Sequence, residues 1–147
     1  MRIVKSILLL AIAAVVASPL AGFAQDKTYK EGTVWTVSFI KVKPGMFDAY
    51  MRDLAAQRKK LMEEAKKQGL IVSEKMFAGS SSSRDDWDLM LMVEYKNWAA
   101  FDGLSDKFDA LALKLVGSEE KQMQMMVKRT EVREIIGEKT LQEISFK

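Results

Sequence analysis

The chain has 147 residues, 23 Lys+Arg against 20 Asp+Glu, and neither histidine nor cysteine. The two absences remove thiol chemistry, Ser-His-Asp hydrolysis, ordinary zinc sites and the usual haem ligand, since each needs a thiolate or an imidazole. They also leave no disulfide, so burial alone must stabilise the fold.

The first 24 residues have the pattern of a secretory signal peptide. Arg2 and Lys5 give a positive start, residues 7–16 are an unbroken apolar run, and Ser18-Pro19 closes the helix-prone part. Gly22 and Ala24 then stand at the −3 and −1 positions for cleavage before Gln25. The run is shorter than the ~20 residues a membrane span needs, so export to the periplasm or beyond is expected rather than an uncleaved anchor. Without cysteine there is no lipid-modified terminus. The leader holds two basic residues and no acidic one, so the remainder carries 21 basic and 20 acidic side chains, a net of +1. Near-neutral, interspersed charge gives no footprint for nucleic acid or for an anionic membrane.

About 123 residues remain, enough for one core. Residues 25–32 are polar and read as a flexible arm, leaving 33–147 as the domain. Residues 34–42, rich in Val, Trp, Thr, Phe and Ile, predict a first strand. Pro44-Gly45 then marks the entry to a helix, with Pro44 at its start. Apolar positions Phe47, Tyr50, Met51, Leu54, Leu61, Met62 and Ala65 have helical period, broken by Arg58, and Gly69 ends the helix. Residues 71–77 predict a second strand, and 79–86 a polar loop. The third strand, 87–95, is the most apolar after the leader. Asn97 is placed to cap a helix through Phe101, Leu104, Phe108, Leu111 and Leu115, weakened near its start by Gly103 and ended by Gly117. Ser118 caps a further helix carrying Met123, Met126, Val127 and Val132, which Gly137 breaks, and 141–146 forms the last strand. A Phe-Asp pair (Phe47-Asp48, Phe101-Asp102) recurs in the first turn of the helix in both strand-turn-helix halves.

The order β-α-β-β-α-(α)-β predicts an α+β, ferredoxin-like fold with a four-stranded antiparallel sheet. The first and third strands are central, and the edges carry Glu74-Lys75 and Gln142-Glu143, which protect open ladders. Helices can cover only one sheet face. Yet the third strand points Leu89, Leu91, Val93 and Tyr95 one way and Met90 and Met92 the other. Both faces are apolar, and a monomer would leave one in water. A homodimer joined through the sheet face is the expectation.

Val42-Lys-Pro-Gly45 with Phe47 and Tyr50, and Val93-Glu-Tyr-Lys-Asn-Trp-Ala-Ala-Phe101, resemble the strand-to-helix junctions of the dimeric α/β-barrel superfamily. Its members include cofactor-free antibiotic-biosynthesis monooxygenases, haem-degrading enzymes, stress-responsive barrel proteins and uncharacterised exported proteins. The resemblance implies a cavity between sheet and helices, reached by a polar residue of the first strand and an aromatic near the second helix. Trp35, Thr36, Ser38, Tyr50, Tyr95, Asn97 and Trp98 are the residues here that fit such a ligand site. Four of them also have a plain structural role: a cap for Asn97, packing for Trp98, half-buried strand positions for Thr36 and Ser38.

Two other clusters suggest chemistry and are outweighed by packing. Met90/Met92 and Met123/Met125/Met126 could hold Cu(I), but thioethers more commonly fill irregular cores. Asp85-Asp86-x-Asp88 lacks the ligand count and turn glycine of a calcium loop and reads as a solvated connection. No metal and no cofactor is expected. The function implied is binding of a small apolar or aromatic molecule, or a non-catalytic role. The alternative is a cofactor-independent monooxygenase-like or isomerase-like enzyme acting on an aromatic substrate, which would rely on the substrate's own acidity.

Overall fold

The computed structural model describes residues 27–147, so the expected leader and residues 25–26 lie outside the described part. β1 (Tyr29–Val42) leads to α1 (Phe47–Asp53), a π-helical turn (Leu54–Arg58) and α2 (Lys59–Lys67). β2 (Ser73–Ala78) and β3 (Leu89–Tyr95) follow, then a 3-10 turn (Trp98–Phe101), α3 (Leu104–Val116), α4 (Glu119–Val132) and β4 (Arg133–Phe146). The strands form one antiparallel sheet in the order β2-β3-β1-β4, with the apolar strands central and the charged ones at the edges. This is the ferredoxin-like α+β plan.

Four local expectations are corrected. Residues 29–32, expected in a loose arm, are strand, with Tyr29 and Glu31 paired to Phe146 and Ile144. Pro44 is not in the helix. Lys43-Pro44-Gly45-Met46 is a turn closed by the Met46 N–H on the Lys43 carbonyl at 2.9 Å, with Gly45 at φ 76°. Proline at its second position and a left-handed residue at its third give the type II geometry, which only glycine adopts cheaply. The helix expected to run on from Asn97 is split. Its first turn is 3-10, Asp102 is extended, and Gly103 at φ 63° resets the chain before α3. The Phe101-Asp102 pair therefore precedes α3, whereas Asp48 does sit in the first turn of α1. Finally, Gly137 breaks no helix. It lies inside β4 opposite Phe39, next to a register shift, because Arg133-Glu-Ile-Ile136 pairs with β1 rather than continuing α4. Gly117 and Ser118 behave as expected: Gly117 ends α3 in the left-handed region, and the Ser118 hydroxyl accepts the Lys121 N–H.

The register sorts the side chains. Val34, Thr36, Ser38 and Ile40 of β1 share a face with Tyr95, Val93, Leu91 and Leu89 of β3, and the helices pack there. One buried cluster joins Val34, Val93, Tyr95 and Ile71 to Met62, Ala65 and Leu111. A second joins Ile40, Val42, Leu89 and Leu91 to Tyr50 and Leu54. The opposite face carries Trp35, Val37, Phe39, Phe77, Met90, Met92 and Leu141. Phe39 meets Trp87 with ring centres 6.2 Å apart, and the Lys75 ammonium lies 5.1 Å from the Trp35 ring centre. Phe77 and Leu141 there remain almost half exposed.

Asp88 fastens the third strand to the first. Its carboxylate accepts the Val42 N–H at 2.8 Å and the Lys41 ammonium at 3.2 Å, and also binds Ser81. Asp86 accepts from the backbone and hydroxyl of Ser82. These two carboxylates are therefore structural fasteners, not the solvated charges expected of the loop.

Candidate functional site

A cavity of about 430 Å³ lies where α1, the π turn, α2, α3 and α4 meet the sheet. Leu54, Leu61, Leu91, Leu115, Val116 and Met125 supply apolar walls, and Tyr50 lines it. The polar lining includes Gln57, Arg58, Lys60, Asp109, Gln122, Arg129 and Arg133. The π turn supplies one wall. Its wider winding carries Leu54, Ala56, Gln57 and Arg58 to the space, a placement frequent for such turns.

Three guanidinium groups border the cavity. Arg58, whose side chain is 18% exposed, lies 3.3 Å from Glu74 Oε2 as an ion pair without hydrogen-bond alignment. Burial pulls its pKa below the ordinary value while Glu74 pushes the other way; an arginine remains a cation throughout. Arg129 Nε donates to Asp53 Oδ2 at 2.8 Å and ties α4 to α1. Arg133 opens β4, and its guanidinium lies 5.8 Å from the Tyr50 ring centre, within cation–π reach. Burial raises the Tyr50 pKa, and the nearby arginines 133, 129 and 58 lower it in part. With the net shift upward, this phenol is neutral at physiological pH and is not a base. Arg133 Nε and Gln122 Nε2 are buried without any hydrogen-bond partner, and such orphaned donors cost about 1–3 kcal/mol each.

Of the residues chosen from sequence, Tyr50 alone lines this cavity. Thr36 and Ser38 border a separate hollow of about 340 Å³ with Glu138 and Thr140, and the Ser38 hydroxyl donates to Glu138 at 3.1 Å. Tyr95 is buried, its ring centre 4.7 Å from that of Phe101. Burial raises its pKa against the opposing Thr36 hydroxyl. Asn97 stands at the start of the 3-10 turn but its side chain makes no cap bond. Trp98 is 55% exposed, with its indole N–H on Gln142. Trp35 lies on the other sheet face. The site candidates are thus spread over five places: the cavity, the second hollow, the core, the 3-10 turn and the opposite sheet face.

The residues that sequence reasoning missed are Gln122, Arg129 and Arg133, and Arg58 registered there only as a break in a stripe. The signal for Arg58 was that break: a cation at a core position of a helix has to meet something. Gln122, Met125, Arg129 and Val132 also have helical spacing and are the part-buried residues of α4. Of the apolar positions read along this helix, Val132 packs against the second cluster, but Met123, Met126 and Val127 are 62%, 62% and 56% exposed. The apolar stripe was legible, but its direction was not.

Among the described residues no helix is long and apolar enough to cross a membrane, and no group of three or more acidic side chains could hold a metal ion. No protein-family model matches the chain, and no curated protein matches it. Among solved structures, HapK from Hahella chejuensis is similar at a TM-score of 0.50 and 10% identity, over 75% of this chain and 91% of that one. Protein SO0527 from Shewanella oneidensis gives 0.49 and 17% identity, over 79% and 97%. A dimeric protein of unknown function and ferredoxin-like fold from Bacteroides fragilis gives 0.38 and 10% identity, over 79% and 97%. At these identities the likeness to HapK concerns the fold alone.

Proposed function

We propose that the protein is an exported, homodimeric small-molecule-binding protein whose largely apolar ligand occupies the cavity between sheet and helices. The cavity is the observation that carries this reading. Its roughly 430 Å³ falls in the range of small-molecule sites, which combine apolar walls with a few converging polar groups. Export rests on the leader pattern of residues 1–24. The homodimer rests on the uncovered sheet face: Trp35, Phe39, Phe77, Met90, Met92 and Leu141 form one apolar surface that a second copy would cover by the same residues in an isologous contact.

The rival, a cofactor-independent oxygenase or isomerase, called for Thr36, Ser38 or Asn97 turned into the cavity, and none of them lines it. Binding without turnover is therefore favoured. Native mass spectrometry of protein purified from its own cell envelope tests both parts. A dimer retaining one small molecule per chain is expected. A ligand-free protein that also takes up no apolar probe overturns the binding reading, and a monomer by light scattering at micromolar concentration overturns the dimer.

A further inference from the structure

We infer that the ligand is an organic anion, an apolar body ending in a carboxylate-like head that Arg133 receives. This rests on the cavity reading above and specifies its occupant. Of the three arginines at the cavity, two are matched within the chain: Arg58 by Glu74 at 3.3 Å and Arg129 by Asp53 at 2.8 Å. Arg133 has no ion pair among the described residues, and its Nε is buried with no acceptor. Gln122 Nε2, on α4, is buried and unpaired in the same way. Both side chains line the cavity, but these two atoms expose no surface to it, so what the space meets is the remainder of the Arg133 guanidinium, which has no ion pair among the described residues.

The remaining orphans do not offer an alternative. Arg58 Nε and Glu74 Oε2 face one another at ion-pair distance, so they satisfy each other's charge even without good alignment. Charge points the same way. With Arg58 and Arg129 neutralised by their partners, the lining keeps Arg133 and Lys60 against Asp109. A guanidinium at an apolar wall has one strong complement, a planar anion bound through charge-assisted hydrogen bonds. A neutral hydroxyl could accept one N–H but would leave the charge uncompensated. The body of the ligand would lie along Leu54, Leu61, Leu115 and Met125, which are apolar and border the same space.

The test compares two probes that share one chain and differ in the head: decanoate and decan-1-ol, titrated calorimetrically into the full protein at pH 7. Decanoate is expected to bind once per chain and about tenfold or more tightly than the alcohol, a gap of about 1.4 kcal/mol or more. In Arg133→Met the gap should close, with alcohol affinity retained. Equal affinity for acid and alcohol in the unmodified protein overturns the anion inference while leaving the apolar cavity standing. Binding of neither probe overturns the cavity reading itself. A preference for the acid that survives Arg133→Met overturns the assignment to Arg133. Should that variant fail to fold, the comparison of acid and alcohol on unmodified protein still decides the anion inference.

Discussion

Two of the helices around the cavity are built in opposite senses. α2 buries Met62 and Ala65 and turns Lys59, Glu63, Lys66 and Lys67 outward. α4 buries nothing fully. It turns Gln122, Met125 and Arg129 toward the interior and Met123, Met126 and Val127 outward. Helical period decides which residues share a face; it does not decide which face goes in. Where the interior is a packed core, the apolar face wins by burial. On the proposed reading the interior beside α4 is a ligand space, and the inward face carries what a ligand would need. α2 is thus part of the framework, and α4 is a wall of the site held by one ion pair to Asp53 and a few apolar contacts.

The largest expected effect separates the two directly. Met62→Ala removes a buried side chain from the main cluster and should cost about 3 kcal/mol in urea unfolding. The midpoint should fall while the slope is unchanged. Met125→Ala, its counterpart on α4, borders a space that already exists and should cost less than about 1 kcal/mol. Equal costs would dissolve the distinction between the helices.

The junction between framework and site is Arg58. Glu74→Ala leaves that guanidinium without a counter-charge and should cost about 2 kcal/mol, since breaking a buried pair from one side strands the other ion. Arg58→Met together with Glu74→Met should recover much of the loss in a double-mutant cycle. Additive losses would mean the two groups are not coupled, and the 3.3 Å approach would then have no energetic content.

A smaller effect sits on the framework side. Asp88→Asn weakens the link to Val42 and Lys41 and should cost about 1 kcal/mol at neutral pH. The Ser81 hydroxyl, the Val42 N–H and Lys41 hold the Asp88 carboxyl below its ordinary 3.8. A carboxyl depressed by folding contributes stability that is full above the unfolded value and is lost as pH falls through the folded one. The gap between native and variant should therefore close below about pH 3.8. A gap that persists in acid would place the Asn effect in packing rather than in charge.

How far the sequence spoke follows the same division. Strand order, central against edge strands and the two apolar faces of β3 were legible because strand period and edge chemistry are local and strong. The direction of α4 was not, because Met123, Met126 and Val127 satisfy the core template as well as Met62 and Ala65 do. Gly137 and Pro44 misled for a related reason: each is a punctuation residue whose meaning depends on a pairing partner, Phe39 for one and the Lys43–Met46 turn for the other. Of the cavity, only Tyr50 was foreseen, and Arg58 was noticed as an irregularity. Arg133 could not be foreseen, since its role depends on β4 starting there rather than at residue 141.

The smallest expected effect is the most discriminating for α4. Met126 is 62% exposed, so Met126→Ser removes little buried apolar surface and should shift stability by no more than about 0.5 kcal/mol. The same change at a core methionine would cost several times that, through lost transfer energy and the cavity left behind. A near-neutral result confirms that the outward stripe faces water in the folded protein. A loss above about 1.5 kcal/mol would mean that something covers Met126 in solution. Repeating the measurement across protein concentrations then identifies the cover: a loss that grows with concentration marks a second copy of this chain, because only an association equilibrium makes apparent stability depend on protomer concentration.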